Sequence, residues 1–149
     1  MRNRRRESEK GAALLEAAIT IPMLLLIAVG IFEFGRAYQT WQVLTNAARE
    51  GARVAVLPDP TPGLAEQRVF DYLDAGQLNS DPETVDVVVN RTDSIIVNGV
   101  SVCASRVTVD YPFQFMVIGP VAQLVASGSD LGGALTMRAE AIMRNETSC

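Results

Sequence analysis

A stretch of 21 residues, 12–32, is almost entirely apolar and constrains this chain more than any other feature. Only Glu16, Thr20, Pro22 and Gly30 interrupt its run of Ala, Leu, Ile, Val, Met and Phe. As a helix the stretch would extend ~31 Å, which matches the ~30 Å hydrocarbon core of a bilayer. Buried helices of soluble proteins usually have shorter, amphipathic apolar runs. The pattern therefore predicts a membrane-spanning helix.

The residues before this stretch are strongly basic. Residues 2–10 carry five basic and two acidic side chains, a net charge of +3. Because basic flanks stay in the cytoplasm, we expect residues 1–11 there and residues 33–149 across the membrane. A cleavable secretory signal fits less well, since its apolar region is usually ~7–15 residues long and ends at an A-x-A-like site. The arginines at 4–6 alone are weak support for a twin-arginine export signal.

Two residues inside the stretch are unusual for a membrane helix. Glu16 lies about 6 Å from its start, and an ionised carboxylate costs ~3 kcal/mol at the bilayer centre and less near the edge. Its side chain either reaches back to the headgroups or awaits a cationic partner, and intramembrane acids favour the second interpretation. Pro22 lacks a backbone N–H, which predicts a kink around residues 18–22.

The composition excludes most catalytic and metal chemistry. The chain has 149 residues, a net charge of −4, two cysteines and no histidine. Histidine-dependent nucleophiles and metal sites are therefore impossible, and Lys10, the only lysine, is not in a phosphate-binding loop. An acidic group without calcium-loop spacing indicates a solvated surface; it comprises Asp71, Asp74, Asp81, Glu83 and Asp86. We expect one folded domain that is not an enzyme and binds no cofactor, metal or nucleic acid.

An amphipathic helix is predicted to continue from the apolar stretch over residues 33–57, where Pro58 ends it. Its apolar face is expected to comprise Ala37, Trp41, Leu44, Ala48, Ala52 and Ala55. Small residues such as Ala47 and Gly51 suit a close approach of another element. The sequence leaves open whether that element is the chain's own sheet or a neighbouring subunit.

Residues 58–149 are predicted to form an α+β head. Thr61 and Pro62 suit the N-cap and first position of a short helix that ends near Gln77. Apolar and polar residues then alternate, which predicts antiparallel strands over 84–90, 106–113 and 135–144, with a turn at Asn98-Gly99 and one or two helical turns at 120–127. The expected fold is thus α+β, with the long helix on a small antiparallel sheet and one short extra helix.

The two cysteines, Cys103 and Cys149, belong to the part expected outside the cytoplasm, where thiols are usually oxidised. A bridge between them would close a span of 46 residues. It would stabilise the fold by roughly 4 kcal/mol on the loop-entropy model. We predict this internal disulfide; two free thiols and a link between subunits are the alternatives.

The order of these features resembles a known family. The string GAALLE at 11–16, between a basic leader and a long apolar helix, resembles the processing site of type IV prepilins. With Pro22, EFGR at 33–36 and AAREGAR at 47–53, the pattern is similar to TadE-like minor pseudopilins of the tight-adherence (Flp) pilus system. Ala17 and the long chain distinguish it from the major Flp pilin, which has Tyr after the Glu and a very short mature chain.

The resemblance implies a pilin-like fold and a precursor cut between Gly11 and Ala12 by a prepilin peptidase. The mature chain would have 138 residues, and Glu16 would pair with the freed amine of Ala12 in a neighbouring subunit. Its implied partners are other pilins or pseudopilins, the inner-membrane pilus assembly platform and membrane lipid.

The implied location is the bacterial inner membrane, in a single pass with the C-terminus in the periplasm, and, after processing, the pilus itself. The implied role is in pilus biogenesis and surface adherence. The alternative is an uncleaved single-pass inner-membrane protein with a periplasmic binding domain, which requires neither Gly11 nor Glu16.

Overall fold

The computed structural model describes residues 2–58, 61–125 and 133–145. Its helices are α1 (Arg2–Ala55), α2 (Leu64–Ala75) and α3 (Ile118–Val125), and its strands are β1 (Asp86–Val97), β2 (Val100–Phe113) and β3 (Leu135–Arg144). The fold class is α+β, as predicted, with two short helices in addition to α1. The contacts divide the chain into two units, whose described parts are residues 2–36 with 115–125 and residues 37–114 with 133–145.

Helix α1 is longer than the sequence predicted. It has 54 residues and begins at Arg2, ten residues before the expected start. The leader consists largely of Arg, Glu and Lys, which favour helices, and holds no glycine or proline before Gly11. The helix ends at Ala55, close to the expected position, because a residue that precedes a proline such as Pro58 disfavours the helical conformation.

The core of the second unit lies between α1, α2 and the inner face of the sheet. It consists of Leu44, Ala47, Ala48, Ala52, Ala55, Ala65, Val69, Leu73, Val85, Val107, Val109, Ala139 and Ala141. At Gly51 the helices approach so closely that an added Cβ would lie 2.5 Å from Cγ2 of Val69. The small residues of α1 are therefore covered by the chain's own α2 and sheet, which answers the question that the sequence left open.

The expected apolar face of α1 was wrong at one position. Trp41 is 47% exposed, and its ring lies 6.4 Å from that of Tyr38. Thr40, only 4% exposed, occupies the buried face instead, one turn before Leu44. The buried face of α1 consists largely of short side chains, which allow close packing, and the large indole lies outside it.

The three strands form one antiparallel sheet in the order β1-β2-β3. Val97 pairs with Val100 across a two-residue turn in which Asn98 (φ 51°) and Gly99 (φ 80°) both have positive φ, as in a type I′ hairpin. The predicted alternation and turn are confirmed. The first strand was expected to end at Asn90, but a bulge between Asn90 and Asp93 resets the register and the hairpin continues to its turn.

The start of α2 differs from the sequence prediction, and its end is close to the predicted one. The helix begins at Leu64, after Gly63 with φ 81°, so Thr61 and Pro62 lie before it and do not form its N-cap and first turn. At the other end, Leu78 N–H donates to the carbonyl of Leu73 (3.0 Å), which satisfies one of the last carbonyls of the helix.

Candidate assembly site on the apolar helix

The apolar stretch of α1 is uncovered in the first unit. Its large side chains are between 49% and 74% exposed; they are Leu14, Leu15, Ile19, Ile21, Met23, Leu24, Leu25, Leu26, Ile27, Ile31 and Phe32. Within the part of the chain that the structure describes, α1 is the one helix long and apolar enough to cross a membrane. Removing each such side chain from water is favourable by about 1.5–3 kcal/mol of free energy, so this surface requires lipid or other apolar helices around it.

Glu16 lies on this apolar surface with its side chain exposed. The hydroxyl of Thr20 donates to the main-chain carbonyl of Glu16 (2.8 Å), a bond internal to the helix that leaves the carboxylate uninvolved. Among the described side chains, none forms a salt bridge with that carboxylate. The carboxylate is thus available to a cation from outside the described residues.

Gly11, Ala12 and Pro22 lie on the same helix as Glu16. Gly11 and Ala12 are exposed, and an added Cβ at Gly11 would meet nothing within 4 Å. Residues 18–22 are helical and Pro22 lies inside α1, so the predicted proline interruption does not end the helix. The kink itself stays a prediction, as do the cleavage at Gly11 and the pairing of Glu16.

A second carboxylate, Glu33, directly follows the apolar stretch and is fully buried. The backbone N–H of Val117 donates to its Oε1 (2.5 Å), the N–H of Ile118 also bonds to it, and Arg36 lies 3.4 Å from its Oε2. These donors stand at the start of α3, where a helix attracts negative charge. Glu33 therefore fixes the beginning of α3 against α1.

This contact was not predicted from the sequence. Glu33 was noted only as part of the EFGR string, and Val117 lies 84 residues further along the chain. One signal was present: a carboxylate at the very end of an apolar run, three residues before Arg36, needs partners in its surroundings. The ring of Phe115, 6.5 Å from that of Phe34 in an edge-to-face arrangement, adds a second attachment between the same segments.

The outer face of the sheet carries ion pairs that join the strands. Arg138 donates to both carboxylate oxygens of Asp110 (2.7 Å each), and Arg106 bonds to Asp93 and to Glu140. The hydrogen bond from Arg138 lowers the pKa of Asp110, and the one from Arg106 lowers the pKa of Asp93. Because these pairs are partly solvated, they add little stability and indicate a structural role rather than a site of chemistry.

Only one of the two cysteines of the predicted disulfide, Cys103, lies among the described residues. Cys103 lies on β2, and its carbonyl accepts a hydrogen bond from the N–H of Asn145 (2.9 Å). Cys149 lies outside the described residues, so the bridge stays a prediction. The position of Asn145 brings the chain to within four residues of its end beside Cys103, which is compatible with the pairing. Among the described residues there is no group of three or more His, Cys, Asp or Glu that could hold a metal ion.

The chain was compared with known families and proteins. Residues 11–53 match the family model described as TadE-like protein. Over this segment the chain is similar to TadE-like proteins. The match begins at Gly11, includes the apolar stretch and Glu33, and ends two residues before the end of α1. It confirms the resemblance to this family, which is associated with the Tad pilus. No curated protein and no solved structure matches the chain.

Proposed function

We propose that this chain is a minor pseudopilin of a tight-adherence pilus: a membrane precursor that is cut after Gly11 and then joins pilus biogenesis through its apolar helix. One observation carries the proposal. The family match begins at Gly11, where the prepilin-like motif puts the cleavage, and includes the whole uncovered stretch 12–32. The large side chains of that stretch are about half exposed or more and require an apolar environment.

The energetics of the apolar stretch suit transfer between a membrane and a helical bundle. Lipid tails are as apolar as leucine side chains, so replacing lipid by neighbouring pilin helices changes the hydrophobic free energy little. Polar contacts then decide the register of packing. A carboxylate at position 16 costs up to ~3 kcal/mol in the bilayer and favours a cationic partner, such as the amine freed at Ala12 of a neighbouring subunit.

The native N-terminus tests the processing step. Mass spectrometry of the protein purified from its native host should find a chain that begins at Ala12, and Gly11→Lys should leave the leader attached. A prepilin peptidase is the proposed enzyme, acting on the cytoplasmic face. If the wild-type protein keeps residues 1–11, the chain is instead an uncleaved single-pass protein whose periplasmic part acts as a binding domain.

Glu16→Ala tests the assembly step. The apolar run remains, so the variant should still fractionate with the inner membrane, but sheared surface fractions should contain few or no pili. Thr20→Ala is the matched control, because Thr20 lies one turn away on the same exposed helix and its hydroxyl bonds only to the carbonyl of Glu16. Wild-type amounts of pili from the Glu16→Ala strain would contradict the proposed role of the carboxylate.

The proposed topology puts residues 1–11 in the cytoplasm and the C-terminus in the periplasm. A C-terminal alkaline phosphatase fusion should therefore be active, since that enzyme needs an oxidising compartment to form its disulfides. The same fusion behind a variant with Arg4, Arg5 and Arg6 replaced by Glu should lose activity as the orientation bias is removed. An inactive fusion to the wild-type chain would indicate the opposite orientation and contradict the proposed topology. Besides the prepilin peptidase and membrane lipid, the proposed partners are other pilins or pseudopilins and the inner-membrane assembly platform.

A further inference from the structure

Residues 115–125, which include α3, form an apolar segment held at the end of the membrane stretch. The segment contains no charged residue, and Gln123 is the most polar side chain between Phe115 and the end of α3. Met116, Val117, Ile118 and Val121 are between 37% and 63% exposed and no charged residue separates them, so they form an apolar patch of the kind that marks contacts with membranes or partners. This segment needs an apolar environment for the same reason as residues 12–32.

The level of the segment along α1 is fixed by Glu33. The bond from Val117 N–H to its carboxylate puts the start of α3 beside the first residue after the apolar stretch. In a bilayer that holds residues 12–32, this is the interface on the side away from the leader. The backbone N–H groups of Val117 and Ile118 bond to the carboxylate there, which matters because lipid tails offer no hydrogen-bond acceptor.

A groove of about 510 Å³ runs between α1 and α3 on the membrane side of Glu33. Its walls are Leu25, Leu26, Val29, Gly30, Phe34, Val117, Ile118, Val121 and Ala122, all of them apolar. Leu25 is eight residues before Glu33, about 12 Å along the helix, so the groove would lie within one ~15 Å leaflet. The exposed face of α1 continues directly into it.

We propose that residues 115–125 are a second membrane contact, seated in the leaflet away from the leader, and that the groove holds a lipid acyl chain. The proposal rests on the membrane insertion of residues 12–32 proposed above. An acyl chain suits the groove because it needs no polar partner and is already present at that depth. Interfacial segments of this kind gain binding free energy in proportion to the apolar area that they bury in lipid.

Depth-resolved fluorescence quenching tests the membrane contact. Trp41, the only tryptophan, is replaced by Phe, and one reporter is added at a time to the full chain in phosphatidylcholine vesicles: Val121→Trp, Ile19→Trp in the apolar stretch, or Ile96→Trp at the hairpin turn. Lipids brominated near the headgroup or near the chain end are the quenchers. The reporters at 19 and 121 should be quenched, the latter most strongly by shallow bromines, and the reporter at 96 should not.

The three reporters separate the two proposals. Quenching at position 19 without quenching at position 121 overturns the second membrane contact and leaves the spanning helix intact. If neither position is quenched, both proposals fail. If the reporter at 96 is quenched as strongly as that at 121, the contact is not specific to α3, and the inference is also overturned.

Photo-crosslinking tests the occupant of the groove. A phosphatidylcholine with a carbene precursor on its acyl chain should label Val121 and Ala122, and Gly30→Leu should reduce that labelling because its side chain enters the groove. Gly35→Leu is the matched control, since Gly35 also has open space around it and is not part of the groove wall. Labelling that disappears as the protein-to-lipid ratio rises would show that a second copy fills the groove and would overturn the lipid assignment.

Discussion

Gly51→Ala is the substitution for which the structure makes the sharpest stability prediction. The added Cβ would lie 2.5 Å from Cγ2 of Val69 and 3.4 Å from Cγ1 of Val107. Both valines are fully buried, and a helical valine has one strongly preferred rotamer, so Val69 has little freedom to move aside. Overpacking of this kind costs ~1–3 kcal/mol. Alanine also improves helix propensity by about 1 kcal/mol over glycine.

The two effects predict that Gly51→Ala lowers the free energy of unfolding by about 1 kcal/mol. The sign of this net effect depends on the side chain at position 69. In a Val69→Ala background the clash is absent, so Gly51→Ala should stabilise the protein by about 1 kcal/mol. The coupling energy between the positions is then roughly 2 kcal/mol, within the range found for residues in contact.

Urea unfolding of the full chain in detergent micelles measures these values, with the fluorescence of Trp41 as a reporter in the second unit. For a unit of this size, 1 kcal/mol corresponds to a shift of about 4–8 °C in the thermal midpoint. Gly35→Ala is the matched control, because an added Cβ there meets nothing within 4 Å. Stabilisation by Gly51→Ala in both backgrounds, with no coupling, would refute the close packing of α1 on α2.

Three further substitutions have defined outcomes. Gly99→Ala should destabilise the second unit by about 1 kcal/mol in thermal unfolding, because φ at this turn is 80°. The hydrogen bond from Arg138 lowers the pKa of Asp110 below its ordinary 3.8, so ionised Asp110 stabilises the fold above pH 3.8. This contribution is lost as the pH falls below that value. Asp110→Asn should therefore show a smaller loss of stability than the wild type when the pH is lowered below about 4. Reductant should lower the thermal midpoint of the wild type and leave that of Cys103→Ser unchanged, whereas equal responses would contradict the predicted disulfide.

Local patterns in the sequence were sufficient for the elements that depend on local physics. The alternation of valines around Val87 and Val109 has a period of two, and Asn98-Gly99 supplies the positive φ values of a tight hairpin, so both strands and turn were predictable. The apolar stretch was equally clear, since its length matches a bilayer. These features need no knowledge of distant contacts.

Features that depend on packing between distant segments were not predictable. The helical period allowed Trp41 on the apolar face of α1, but in the structure Thr40 is buried and Trp41 is exposed, and only three-dimensional contacts decide between them. The start of α2 was also wrong, because Thr61 and Pro62 are good helix starters locally, yet Gly63 adopts the left-handed conformation that turns the chain into the helix at Leu64.

Glu33 is the clearest example of a site that sequence reasoning could not assemble. Its carboxylate is buried by a segment that begins at Phe115, and the donor from Val117 is a main-chain N–H, which no side-chain pattern records. A single chain offers only indirect signals for such a contact. Here they were an acid at the end of an apolar run and an uncharged segment far along the chain, each of which had simpler interpretations.

The segment shared with the TadE-like family combines two different physical constraints, and this affects how variants within it are interpreted. The large side chains of residues 12–32 are about half exposed or more, whereas Ala48, Gly51 and Ala52 pack against the chain's own α2 and sheet. A substitution at Gly51 that abolishes pili therefore has an explanation in the reduced stability of the second unit. Only substitutions in 12–32 that leave the unfolding free energy of the second unit unchanged report on assembly itself, and for that reason Glu16→Ala should be measured for both stability and pilus formation.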